Sequence, residues 1–279
     1  LAAFLGRHAP DLALDAGNEW LALVDARRKA VTEALEEPLP PRPPNFCIGC
    51  PERPVFAAMK LAKERIGPFH VAADIGCHSF ATFEPFTQGH SILGYGMSLA
   101  SRAGVSPAMA RRTIAVMGDG GFWHNGVVTG VQSALFNRDD AVLLILKNGY
   151  TSATGTQEII STPDEAVKEA AADKTRSLVH DNQVIEKTLE GLGVGWMRSV
   201  DSYRVDRVRA VLEEAFTTDH PGLKVIVAEG ECQLERQRRV KPWRAELERE
   251  GRRHVRVKYG VDEDVCSGDH SCIRLSGCP

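Results

Sequence analysis

The sequence predicts a doubly wound α/β domain, a mostly parallel sheet with helices on both faces. Short apolar runs recur along the middle of the chain, helix-period stretches separate them, and a glycine-rich turn follows one central run. Continuous apolar strands divided by helices are the pattern of a parallel sheet buried on both sides. The strands are expected at 69–74, 113–118, 141–148, 194–200 and 223–229. Helical patterns fall at 54–65, 91–103, 125–137, 181–191 and 203–216. Right-handed crossovers then place a ligand at the C-terminal ends of the strands.

The flanks differ in composition. Residues 18–37 read as one amphipathic helix rich in good helix formers. "PLPPRPPN" at 38–45 cannot continue it and reads as an extended linker. The organisation expected is therefore a helix and Pro-rich linker over 1–45, the α/β domain over 46–230, and a charged extension over 231–279.

Composition narrows the class. Of 279 residues, 25% are charged and 43% belong to the apolar set, as in ordinary globular proteins. A net charge of −3 gives no reason to expect nucleic acid or an anionic membrane as partner. The longest strongly apolar run, 141–146, is too short to span a bilayer. No basic region precedes an apolar stretch at the start, so a signal peptide is not expected. A chain running from Leu1 to Pro279, just past a cysteine, reads as a piece of a longer polypeptide. Seven cysteines are an odd count. In a cytoplasmic protein they point to metal, cluster or cofactor chemistry more than to a disulfide framework.

The chemistry concentrates at "GDGGFWHNG", residues 118–126, which follows the apolar "TIAVM". Asp119 stands between Gly118 and Gly120, just past a central strand, with a helix expected from about Asn125. A helix N-terminus suits phosphate. The dinucleotide fingerprint is absent, since Trp123 occupies its third glycine position, and no Gly-Lys-Ser/Thr loop is present. The next strand ends in Asn148, with 27 residues between Gly120 and Asn148, enough for a helix and a return strand. A carboxylate, an amide oxygen and a main-chain carbonyl make a hard oxygen set that suits Mg²⁺, bound at about 2.0–2.1 Å with substrate phosphates completing its shell. The plainer alternative is that Asp119 is a turn residue and Asn148 a strand-end cap.

Taken together, these stretches resemble a known family. Gly-Asp-Gly followed after somewhat under 30 residues by Asn is similar to the thiamine diphosphate-binding pattern. "FCIGCPER" (46–53), "ADIGCHSF" (73–80) and "NGYTSATGTQE" (148–158) resemble segments of the 2-oxoacid:ferredoxin oxidoreductases. Within them the likeness is to the diphosphate-binding half of the large (alpha) subunit of the indolepyruvate type, over about residues 40–279. The resemblance implies Mg²⁺ held by Asp119, Asn148 and the main-chain carbonyl of Tyr150. It implies diphosphate against the turn of Gly118, Gly120 and Gly121. Cys47, Gly49 and Cys50 would line the cofactor, as would Gly76 and Cys77, with His78 a candidate pocket residue. Trp123 and His124 are candidates for shaping an aromatic substrate pocket, against a core Trp and a surface His.

The cysteines divide. Cys47 and Cys50 alone would also read as half a zinc site or a redox pair, but no second Cys-x-x-Cys completes zinc. Cys266, Cys272 and Cys278 are each separated by five intervening residues, unlike the tight ferredoxin run, and are one thiolate short of a cluster. The resemblance makes them iron–sulfur (4Fe–4S) ligands in a ferredoxin-like extension, with the fourth ligand elsewhere. Cys232 reads as a buried thiol. Arg236, Arg238 and Arg239 are candidates for coenzyme A phosphates or a ferredoxin, against a solvated face.

The implied reaction is oxidative decarboxylation of an arylpyruvate to acyl-CoA and CO₂, with electrons passed to ferredoxin. The implied partners are a 2-oxo acid, coenzyme A, ferredoxin and a smaller (beta) subunit, in an oligomer. The activating Glu of such enzymes is expected outside this chain, so no catalytic residue is assigned within it and the chain alone is expected to be inactive. Two rivals stand beside this reading: a non-oxidative thiamine diphosphate enzyme, such as a 2-oxoacid decarboxylase or an acetolactate synthase, and a non-catalytic electron-transfer or scaffold subunit.

Overall fold

Six strands pair edge to edge into one sheet in the computed structural model, which describes residues 7, 15–35, 44–162, 184–252 and 260–276. The chain divides into two units, Leu1–Pro44 and Asn45–Pro279. In the first, helix α1 (Asp15–Ala34) keeps Trp20, Leu23 and Val31 exposed. Most of the proline linker, residues 36–43, lies outside the described residues.

The second unit carries the sheet. In chain order it holds α2 (Glu52–Ile66), β1 (Val71–Ala73), a 3₁₀ turn (Cys77–Thr82), β2 (Ser91–Ile92), α3 (Ser98–Val105) and β3 (Ile114–Gly118). Helix α4 follows without a break as three segments, Asp119–Gly121, Phe122–Gln132 and Ser133–Phe136, the middle one π-wound. Then come β4 (Val142–Lys147), a small antiparallel pair β5 (Tyr150–Thr151) and β6 (Gln157–Glu158), and α5 (Ile185–Gly191). Strand β7 (Trp196–Asp201), α6 (Val205–Thr217), β8 (Lys224–Glu229), α7 (Gln233–Arg249) and α8 (Ser271–Ser276) complete it. The sheet order is β2-β1-β3-β4-β8-β7, and every pair in it is parallel.

Alternation along the central strands builds two cores. Val142, Leu144 and Leu146 of β4 face one side, with Val55, Phe56 and Met59 of α2 and Val208 and Leu212 of α6. Leu143 and Ile145 face the other, with Leu99 of α3, Phe122 and Val131 of α4, and Ile185 and Leu189 of α5. Each such side chain removed from water contributes about 1.5–3 kcal/mol. Both faces being covered is why these strands read as unbroken apolar runs.

The structure corrects two element boundaries. The helical pattern at 91–103 is a short strand and a helix that starts only at Ser98, because Gly94 and Gly96 intervene and Gly96 takes a φ of +74°. The helix expected from Asn125 starts at Asp119. Gly118 is extended and ends the strand, and Asp119 opens the helix, where a negative group meets the positive end of the macrodipole. Packing, rather than a loose turn, calls for the glycines. A Cβ on Gly120 would collide with Thr151 Oγ1 and the Tyr95 hydroxyl, and one on Gly121 would lie 2.7 Å from Asp74 Oδ2. One on Gly126 would lie 2.7 Å from Met117 Sδ, so α4 sits directly on β3.

Charged groups close the opposite end of the sheet. Fully buried Arg102 donates to Thr113 Oγ1 and pairs with Asp139. Lys224, also buried, pairs with Asp140, which Arg112 reaches at 2.9 Å. Partial burial pulls the Asp140 carboxyl up, but hydrogen bonds from Lys224 and Arg112 outweigh it and hold its pKa below the ordinary carboxylate range.

Two predictions follow from this packing. With its folded pKa depressed, Asp140 stabilises the fold fully above its unfolded pKa of about 3.9, and that stability is lost as pH falls through the folded value. Urea unfolding is expected to show Asp140→Asn less stable than wild type at neutral pH, with the gap narrowing below about pH 4. Gly120→Ala is expected to cost about 1–3 kcal/mol by overpacking. Adding Thr151→Ala should restore part of that loss, a coupling that a double-mutant cycle reads directly.

Candidate functional site

The C-terminal ends of β1, β3 and β4 meet in one cleft. Gly118 pairs with Leu146 across β3 and β4, so Asp119 and Asn148 leave the sheet side by side. The Asp119 carboxylate is 1% exposed and is held entirely by main chain. Its Oδ1 accepts from Gly120 N at 2.9 Å. Its Oδ2 accepts from Asn148 N at 2.8 Å and from Gly149 N at 2.6 Å. Burial pushes its pKa up to about 7 despite those three N–H donors.

Asn148 is oriented from three directions. Its Oδ1 accepts from Tyr150 N at 3.1 Å and Ser152 Oγ at 3.0 Å, and its Nδ2 donates to Glu52 Oε1 at 3.3 Å. Glu52 is buried, and burial together with the charge of nearby Asp119 pushes its pKa up to about 8, against the Asn148 hydrogen bond. Among the described residues, neither Asp119 nor Glu52 pairs with a basic side chain. Two buried carboxyl groups and an amide oxygen, without a positive partner, form a hard oxygen set that fits a divalent cation.

The cleft around them has a volume of about 210 Å³. It is lined by Gly76, Cys77, His78, Gly118, Asp119, Gly120, Gly121, Asn148 and Tyr150, nine of the residues singled out from sequence. His78 is buried, which pushes its pKa down to about 4 and keeps the ring neutral. One ring nitrogen bonds the Asp74 carbonyl, and Nε2 has no partner among the described residues. The first turn of α4, with its main-chain N–H groups, forms the floor.

Three predicted residues lie elsewhere. Cys47 and Cys50 do not line this cleft; they line a neighbouring cavity of about 160 Å³ that shares Glu52, Cys77, Asn148, Ser152 and Ala153 with it. The reason is a turn, closed by Cys50 N donating to the Cys47 carbonyl at 3.0 Å, which puts both thiols on the far side of Glu52. Gly49, at φ +73°, lines neither cavity, and its carbonyl accepts from the Tyr203 hydroxyl at 2.9 Å. Cys232, buried as expected, joins Cys47, Cys50 and Cys77 around the second cavity. Burial raises the Cys50 thiol above its usual range and pushes Cys77 up to about 12. Among the described residues no three His, Cys, Asp or Glu side chains are gathered to hold a metal. Cys266 and Cys272 are exposed, and Cys278 lies outside the described residues.

Other candidates have partners within the fold. Trp123 packs against the second core and donates to Ser161 Oγ at 2.8 Å, and His124 lies beside the Tyr95 ring; neither lines the cleft. Arg236 and Arg239 pair with Glu231, while Arg238 donates to the Gly155 carbonyl and Thr156. Sequence reasoning passed over Glu52, Asp74 and Tyr95. Buried Asp74, its pKa pushed up to about 6 by burial against main-chain hydrogen bonds, accepts from Gly96 N at 2.7 Å and from Ile75 N at 2.6 Å. A lone acid at the entry to an apolar helix, as in "PERPVFAAM", was the available signal for Glu52.

Comparison with known proteins agrees with this geometry. The thiamine pyrophosphate enzyme C-terminal TPP-binding domain matches residues 74–228, more than half of the chain. The indolepyruvate oxidoreductase subunit IorA of Archaeoglobus fulgidus is 29% identical over 250 residues, 90% of this chain and 36% of that protein. The IorA of Pyrococcus horikoshii is 27% identical over 259 residues, 88% of this chain and 36% of that protein. The chain thus spans little more than a third of the length of these curated relatives. In fold it is similar to a 2-oxoglutarate:ferredoxin oxidoreductase from Magnetococcus marinus, with a TM-score of 0.54 at 15% identity over 72% of this chain and 68% of that one. With the Asp119–Asn148 cleft inside the matched span, the chain belongs to the thiamine pyrophosphate enzyme family and carries its C-terminal, TPP-binding domain.

Proposed function

We propose that this chain is the cofactor-binding part of a cytoplasmic 2-oxoacid:ferredoxin oxidoreductase that converts an arylpyruvate and coenzyme A to acyl-CoA and CO₂. It would work with a smaller beta subunit, as part of an oligomer, and pass electrons to ferredoxin. The observation that carries the reading is the pairing of Asp119 with Asn148 at the tips of adjacent parallel strands, in a cleft floored by a helix N-terminus.

In this reading Asp119, Asn148 and the Tyr150 carbonyl hold Mg²⁺, and Gly118, Gly120 and Gly121 bring main chain close to the diphosphate. Bound thiamine diphosphate supplies the nucleophilic carbon and the electron sink that a 2-oxo acid needs to lose CO₂. The protein's share is placement and exclusion of water. The loop Thr151–Thr154 walls the cleft, and the Tyr95 hydroxyl lies 3.2 Å from Thr151 Oγ1. Neutral His78 forms part of the cleft wall. The arylpyruvate preference rests on the likeness to the IorA proteins.

An iron–sulfur cluster is part of the reading, with Cys266, Cys272 and Cys278 as its ligands and a fourth from elsewhere. Iron and sulfide analysis of Cys272→Ala beside the wild type tests it, with loss of the cluster expected in the variant.

Calorimetry with thiamine diphosphate is expected to show Mg²⁺-dependent binding to the wild type. Asp119→Ala should abolish it, and Asn148→Ala should weaken it at least about tenfold. Unchanged binding in both variants would overturn the assignment. In the assembled enzyme, indolepyruvate with coenzyme A is expected to reduce a low-potential acceptor faster than 2-oxoglutarate does. Aldehyde release without acceptor reduction would point to the non-oxidative rival.

A further inference from the structure

One buried polar atom in the cleft has no protein partner that explains it. Glu52 is 3% exposed and opens α2, directly after the Cys47–Cys50 turn and Pro51. Its Oε1 accepts from Asn148 Nδ2 at 3.3 Å, while its Oε2 has no hydrogen-bond partner among the described residues. The residue stands in the wall of both cavities. A carboxyl oxygen buried without a hydrogen-bond partner works against folding. An apolar side chain of similar size would serve α2 better, since Val55, Phe56 and Met59 already anchor that helix in the core.

The bond that Glu52 does make bears on Asn148. An amide has two nearly identical ends, one oxygen and one nitrogen, and only its neighbours decide which end faces which way. Tyr150 N and Ser152 Oγ, both able to donate, meet the oxygen end. Glu52 Oε1 is the acceptor that meets the nitrogen end. We propose that Glu52 is a positioning residue of the cation–diphosphate site: through Nδ2 it holds the Asn148 amide so that the oxygen, and not the NH₂ group, is offered to a divalent cation. The proposal rests on the reading of Asp119 and Asn148 as cation-holding residues. Outer partners of this kind fix the orientation of a metal-holding group, and their removal lowers metal affinity by about 10–100-fold.

The test is a titration of the purified protein with Mn²⁺ in the presence of thiamine diphosphate. Free Mn²⁺ is read by electron paramagnetic resonance, and thermal unfolding is measured on each unliganded variant. Glu52→Leu is expected to weaken Mn²⁺ binding about 10–100-fold while leaving the unliganded Tm close to wild type, because removal of the unpaired oxygen offsets the acceptor lost to Asn148 Nδ2. Glu52→Gln keeps an acceptor for Asn148 Nδ2 and should bind Mn²⁺ close to wild type. The proposal is overturned if Glu52→Leu binds like wild type, if Glu52→Gln falls as far as Glu52→Leu, or if Glu52→Leu loses Tm together with binding. Asp119→Asn is the control: if it binds Mn²⁺ as wild type does, the underlying cation site is what fails, and Glu52 has nothing to position.

Discussion

The Asp119 carboxylate joins the tips of β3 and β4 through three main-chain N–H groups, and the geometry of the cleft descends from that junction. An acid at this point opens α4 on its favourable side, fixes the Asn148–Gly149 turn and leaves the helix N-terminus facing the pocket. Main-chain donors do not depend on rotamers, so the arrangement is set as soon as the two strands pair in register. Around it the glycines let elements approach more closely than any side chain would allow. Gly96 N meets Asp74, and Gly121 packs on the same carboxylate.

Electrostatically the cleft is loaded in one direction. Asp119 and Glu52 are both buried, each carboxyl is pushed upward by burial, and the charge of Asp119 adds to the effect on Glu52. Folding alone does not reward two such groups in contact with one Asn. In the proposed reading a divalent cation at Asp119 and Asn148 would offset that cost. The second cavity, with its four thiols, shares Glu52 and Asn148 with the first. Cys77, Ser152 and Ala153 are shared as well, so the two cavities adjoin along one wall.

Much of this was legible in the residues. The apolar runs and the spacing from Asp119 to Asn148 gave the sheet and the pairing of the two tips, because strand pairing follows from continuous burial and crossover length. The start of α4 was not legible: Asp-Gly-Gly has poor helix propensity, and only contacts with Thr151, Tyr95 and Asp74 explain its glycines. The placement of Cys47 and Cys50 one cavity away was hidden for a similar reason, since it depends on how their turn meets α2. The signal at Glu52 was weak because a single acid at a helix start has an ordinary explanation in the helix dipole. Its significance lies in burial and in the partner it found, neither of which a local pattern records.

The most direct measurement is the anomalous diffraction of crystals grown with Mn²⁺ and thiamine diphosphate. The account predicts one strong Mn²⁺ peak bonded to the Asp119 carboxylate and the Asn148 amide oxygen, with diphosphate oxygens completing its shell. Diphosphate seated in the cleft with no ion at those two side chains, or an ion bound elsewhere, would contradict it.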